Sequence, residues 1–335
     1  MGKERVALWD NLKFILIVLV VVGHFVNIKN NDIYHSIFIF IYSFHMPLFI
    51  FVSGLFHKNE GFWKKALAFV GIYILYELCI YWLKLIFSQE AELDMLHEIA
   101  APWFMLSMAF YCVIGFILHK VMENKVARWV VIGVLVVFSC AAGYIESLGS
   151  FLSLSRTVVF LPLYLLGMCT DRKKLEKLAG NIRLKVCSAV ILGAWLVICF
   201  VCMETVYKMR PFLLAAEAYP EDVSFAFIWR ALFYISGLFF GFFMIVLTPV
   251  REIKPVTLWG SRTLQVYFWH RHILYAMKYA KIDKWFYKTE AGKAGWVVLA
   301  VVIAIVLSLK IFKYPTELFM LFARRRKKPK EQNLN

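Results

Sequence analysis

The chain is expected to be an all-α, polytopic integral membrane protein with about ten transmembrane helices and both termini in the cytoplasm. Three observations carry that expectation. Apolar and aromatic residues make up 61% of the 335 residues, and mean hydropathy is +0.69, well above the roughly half-apolar mix of a soluble domain. Runs of spanning length recur along the whole chain. Lys and Arg number 25 in the N-terminal segment, the even-numbered connections and the tail, and 8 in the odd-numbered connections, which puts the first set in the cytoplasm.

A helix needs about 20 apolar residues to cross a hydrocarbon core about 30 Å thick. Such runs lie near residues 12–28, 36–56, 66–87, 103–121, 126–144, 155–171, 184–203, 226–248, 263–279 and 294–314. The first has the apolar core of a secretory signal, but no small-residue cleavage site follows and the next run begins within about ten residues, so it reads as a retained helix. Residues 1–315 form the transmembrane domain and 316–335 a basic cytoplasmic tail. The tail's Arg324, Arg325, Arg326, Lys327 and Lys328 suit a solvated segment beside anionic lipid head groups, with nucleic acid not the expected partner.

The seven cysteines fall within the apolar runs, singly except for Cys199 and Cys202, so neither a disulfide framework nor a metal site is expected. Acidic residues gather in two odd-numbered connections, Glu90 to Glu98 and Glu204 to Ser224, the candidate lips of an outward-facing site. Trp9, Trp63, Trp285 and Trp296 lie near run ends and read mainly as interfacial anchors.

Ionisable residues inside a bilayer are costly and usually face a cavity or a partner. Here they are His24, His45, Glu77, Lys84, Arg230, His270, Arg271 and His272. Lys84 can snorkel, and Glu77 and Arg230 are candidates to pair. In the first run, Lys13 and His24 are eleven residues apart, about three turns plus 20°, and Asp10 lies about 40° to the other side. All three share one helix face, with His24 about 16 Å deeper than Lys13.

Five segments resemble, in order, the acyltransferase-3 family and its fucose 4-O-acetylase-like branch. They are DNLKFILIVLVVVGH at 10–24, FHMPLFIFVSGLF at 44–56, PWFMLSMAFY at 102–111, LSRTVVFLPLYLLGM at 154–168 and GSRTLQVYFWH at 260–270. Lys13 stands where most of the family has arginine; it keeps the charge and lacks the planar fork. The resemblance implies an O-acetyltransferase that takes acetyl-CoA from the cytoplasm and acylates a hydroxyl of a polysaccharide, oligosaccharide or lipid-linked sugar. Its place would be the cell membrane of a bacterium, with no permanently bound cofactor.

On that reading His24 is the general base, and Asp10 orients or charge-balances the cytoplasmic end of the same face. Lys13 holds the donor's phosphates, helped by Lys58, Lys64 or Lys65. His45, just before Pro47, either contacts the acyl donor or makes a structural hydrogen bond. Ser53 lies on the donor side, beside Gly54. Trp103 either stacks on adenine or a sugar or anchors at the interface, and Arg156 holds the acceptor or an acyl oxygen. The rival class is a transporter or flippase of a glycan or small polar solute, in which the same residues line a path and no bond is made.

Overall fold

The computed structural model describes residues 6–27, 31–97, 102–149 and 151–323. Glu98 and the basic run Arg324 to Lys328 lie outside them. Among the described residues the chain is helical and has no strand, only an isolated bridge between His97 and Phe151. The helices are α1 (Ala7–Phe25), α2 (Asp32–Tyr42), α3 (His45–Leu55), α4 (Phe62–Ile86), α5 (Trp103–Glu123), α6 (Lys125–Ala142), α7 (Leu154–Cys169), α8 (Arg172–Ala179) and α9 (Ile182–Val201). They continue as α10 (Met203–Val206), α11 (Arg210–Leu214), α12 (Ala226–Leu247), α13 (Lys254–Gly260), α14 (Thr263–Tyr279), α15 (Asp283–Phe286), α16 (Glu290–Leu307) and α17 (Thr316–Ala323).

By length and composition, 8 segments are able to cross a membrane: α1, the α2–α3 pair, α4, α5, α6, α9, α12 and α16. The other two expected spans are also helices. However, α7 has only 16 residues, and α14 has 17 and carries His270, Arg271 and His272, which lowers its apolar content. Starts are set by polar caps: Asn124 accepts from Val126 and Ala127, Asp171 from Lys173, and Asn181 from Arg183 and Leu184. Each satisfies backbone N–H groups that a helix start leaves unpaired.

The spanning windows of α1 and α2–α3 are 72% and 83% buried within the protein, against 17% for α6 and α9, so the first two form the centre and the last two the lipid-facing rim. Val126, Val130, Val134 and Val137 of α6 accordingly point outward. The centre is held by close backbone approach. A Cβ on Gly54 would lie 1.9 Å from the Tyr164 carbonyl oxygen, and one on Gly167 2.1 Å from that of Phe51, so α3 and α7 touch at a pair of glycines. Near the N-terminal end of α1, buried Asn11 donates to the carbonyls of Pro249 and Arg251 and accepts from Thr257, pinning the α12–α13 connection. Helix α17 packs on α4, with the Phe319 ring against Gly71.

Two prolines shape the interior. Pro47 has no N–H to offer the Ser43 carbonyl and its ring crowds a continuous helix, so the second span breaks at Ser43 and Phe44. Pro162, inside α7, frees the Val158 carbonyl, which accepts from Ser139 Oγ at 3.1 Å. Tyr234 and Tyr111 donate to the neighbouring carbonyls of Val159 and Thr157.

Several residues sit differently from the sequence expectation. Arg230 does not pair with Glu77: it donates to the Phe212 carbonyl at 2.9 Å and lies against the Tyr219 ring, because the 210–221 segment folds back over α12. Trp9 and Trp296 are buried rather than interfacial. Trp9 donates to Glu176 and Trp296 to the Phe25 carbonyl, so each indole N–H finds an internal acceptor. Trp63 and Trp285 are exposed, as anchors would be.

Candidate active site

A cavity of about 670 Å³ opens in the bundle, and its lining includes His24, His45, Trp103 and Arg156, four of the expected site residues, brought from α1, α3, α5 and α7. Its mouth is formed by Glu146 and by residues of the 210–221 segment, including Glu217 and Glu221. One of the two expected acidic lips therefore borders it; residues 90–97 do not.

Each site residue is placed by its helix. His24 occupies the last turn of α1. Beside it, Gly23 leaves room for Tyr42, whose ring edge would lie 2.9 Å from an added Cβ. His24 Nδ1 is 3.1 Å from a terminal guanidinium nitrogen of Arg271. A guanidinium can only donate, so Nδ1 accepts. Arg271 also donates to the Tyr275 hydroxyl and lies over that ring, and its Nε is buried without a partner. The His270 ring sits 5.1 Å from that of His24, with Nδ1 bonded to the Val266 carbonyl.

His45 begins α3 at the break that Pro47 enforces. There the Ile41 carbonyl, released from a regular helix bond, lies 2.8 Å from His45 Nδ1. A carbonyl can only accept, so Nδ1 carries the proton. The Tyr42 ring meets His45 edge-on at 4.5 Å.

Trp103 stacks on Phe160 at 5.2 Å and presents its ring to the Arg156 guanidinium at 5.2 Å. Arg156 Nε donates to the Leu214 carbonyl at 3.2 Å, tying α7 to the mouth. Arg210 reaches Asn27 at 3.2 Å, so three arginines and three glutamates line one space. At the rim, burial raises the Tyr219 phenol above its ordinary pKa and the Arg230 charge works against it.

Three expected residues lie elsewhere. Asp10 and Lys13 form an ion pair at 2.7 Å near the start of α1, with Asp10 buried and Lys13 partly exposed. About 16 Å of helix separates Lys13 from His24. Ser53 Oγ donates back to the Phe49 carbonyl at 2.9 Å, within its own helix. No group of His, Cys, Asp and Glu able to hold a metal occurs among the described residues.

Sequence reasoning flagged Arg271 as an intramembrane charge but gave it no role. Arg210, Tyr42 and Tyr267 also line the cavity and were not singled out. The available signal was the run His270, Arg271, His272 in an otherwise apolar helix, a cost that a membrane protein bears for a reason.

The chain matches a family described as an acyltransferase domain over residues 6–313. No curated protein matches it, and no solved structure does.

Proposed function

Since the chain belongs to the acyltransferase-3 family, we propose that this membrane acyltransferase moves an acetyl group from cytoplasmic acetyl-CoA to a hydroxyl of a surface or exported carbohydrate. The observation that carries this reading is the convergence of His24, His45, Trp103 and Arg156 on one cavity. A hydroxyl must lose its proton as it attacks the thioester carbon, and the carbonyl oxygen gains charge as it does so. The C–O bond forms, the C–S bond breaks, and the proton passes through an imidazole to the departing thiolate. A cavity with two imidazoles and three guanidiniums supplies both proton transfer and stabilisation of negative charge.

Trp103 offers a ring face to a sugar or adenine, and Arg156 a donor to the acceptor or an acyl oxygen. Lys13 remains the proposed phosphate contact, its Asp10 partner using one of its three donors. The thioester then reaches deep into the bundle, and the acceptor enters past Glu217 and Glu221. The protein would work in a bacterial cell membrane with both termini cytoplasmic.

The test is incubation of purified protein in nanodiscs with acetyl-CoA and carbohydrate, reading CoA release and base-labile acetyl ester by mass spectrometry. Ester formation supports the reading; transport of the carbohydrate with no CoA release supports a transporter instead.

A further inference from the structure

The two cavity histidines are held in opposite hydrogen-bonding states. Arg271 donates to Nδ1 of His24. The one proton of the neutral His24 ring therefore sits on Nε2, which becomes a donor. For His45 the order is reversed: Nδ1 donates to the Ile41 carbonyl, and Nε2 is left with its lone pair. Both rings line the same cavity. Each ring makes its hydrogen bond through Nδ1, and among the described residues neither Nε2 has a protein hydrogen-bond partner.

We infer that His45 Nε2 is the general base that takes the acceptor's proton, while His24 Nε2–H, locked by Arg271, donates to the oxygen of the reacting acyl carbonyl. This reassigns the base from His24 and rests on the acyl-transfer reading. As the acceptor oxygen bonds to the acyl carbon, its proton goes to His45 Nε2, and the negative charge on the carbonyl oxygen is met by His24 Nε2–H. When the tetrahedral species collapses, the C–S bond breaks and His45 returns that proton to the thiolate. His45 keeps its Nδ1–H bond to Ile41 throughout, which steadies the imidazolium while it exists. His24 changes no protons, as a neighbour of a guanidinium should not.

Amide variants separate the roles because asparagine mimics Nδ1 and glutamine mimics Nε2. His45→Asn keeps the donor to Ile41 and removes the base. His24→Gln keeps a donor where Nε2–H stood; His24→Ala does not. The probes are acetyl-CoA with water, a nucleophile that needs a base, and acetyl-CoA with hydroxylamine, which does not; CoA release is read above the uncatalysed background. His45→Asn is expected to lose about 10²-fold to 10⁴-fold with water and to recover most of its rate with hydroxylamine. His24→Ala is expected to lose about 10²-fold to 10³-fold with both, and His24→Gln to retain at least about tenfold more activity than His24→Ala.

Near-normal hydrolysis by His45→Asn, or hydroxylamine rescue of His24→Ala, overturns the assignment. Should His45→Asn fail to give a monodisperse protein, the His24 pair decides: glutamine no better than alanine overturns it. Absence of CoA release from the unaltered protein with both probes would instead count against the acyl-transfer reading.

Discussion

At the scale of single residues, His24 lines the cavity and lies within the residues 6–313 that match the family. His24→Ala is expected to cut transfer by about 10²-fold or more, with the protein still inserted and folded, checked by CoA release alongside size-exclusion profiles. Arg271 acts through it: Arg271→Met removes the donor that fixes the His24 tautomer, and a loss of at least about tenfold in turnover is expected. Lys13 calls for a paired design, because Asp10 is buried against it. Lys13→Ala alone removes the counter-charge beside the buried Asp10 carboxylate and is expected to lower stability as well as acetyl-CoA affinity. In the Asp10→Asn, Lys13→Ala double variant stability is expected to return while affinity stays low; unchanged affinity by nanodisc binding would contradict the donor placement.

At the scale of elements, the break between α2 and α3 sets the site, since the helix is interrupted at Ser43 and Phe44, ahead of Pro47, and His45 Nδ1 donates to the Ile41 carbonyl across that break. Pro47→Ala restores an N–H and favours a continuous helix; lost CoA release from a folded protein is the expected outcome. The α3–α7 contact is less forgiving. Gly54→Leu places side-chain atoms where the Tyr164 backbone lies, and loss of folded protein on detergent extraction is expected.

Just after α3, His57 Nε2 donates to Asn59 and Nδ1 accepts from the Tyr164 hydroxyl. Burial holds this ring below its ordinary value of 6.5. Above that value the ring is neutral in both folded and unfolded chains and has no effect. Below it the unfolded chain takes the proton first, so stability falls as pH drops from about 6.5. Thermal unfolding at two pH values should show a slope that His57→Gln reduces.

Much of this level was legible in the sequence, because apolar run length, capping residues and proline act locally: each of the ten expected segments contains an α-helix, the second broken at residues 43–44. The shared face of Asp10 and Lys13 was also legible, and the two do meet. The meeting of His24 with Arg271 was not, since 247 residues separate them and only tertiary packing brings α14 to α1. Nor could spacing show that Ser53 spends its hydroxyl on its own helix, or that Trp9 and Trp296 turn inward to acceptors on other elements.

At the scale of the whole molecule, a central α1 joins an ion pair near its start to a cavity at its far end, which suits a donor and an acceptor that approach from opposite faces. The charge asymmetry predicts an orientation with the 172–185 connection inside and the 90–97 connection outside. A cysteine placed among residues 90–97 should react with an impermeant reagent outside cells, and one among residues 172–185 should not; the reverse pattern would contradict the orientation. The most direct test of the central claim is CoA release by the purified protein in nanodiscs, given acetyl-CoA and a carbohydrate acceptor. Acyl transfer at this cavity requires stoichiometric release of CoA and formation of acetyl ester, both slowed by about 10²-fold or more in His24→Ala. Intact protein that binds or moves the carbohydrate and leaves acetyl-CoA unconsumed would contradict it.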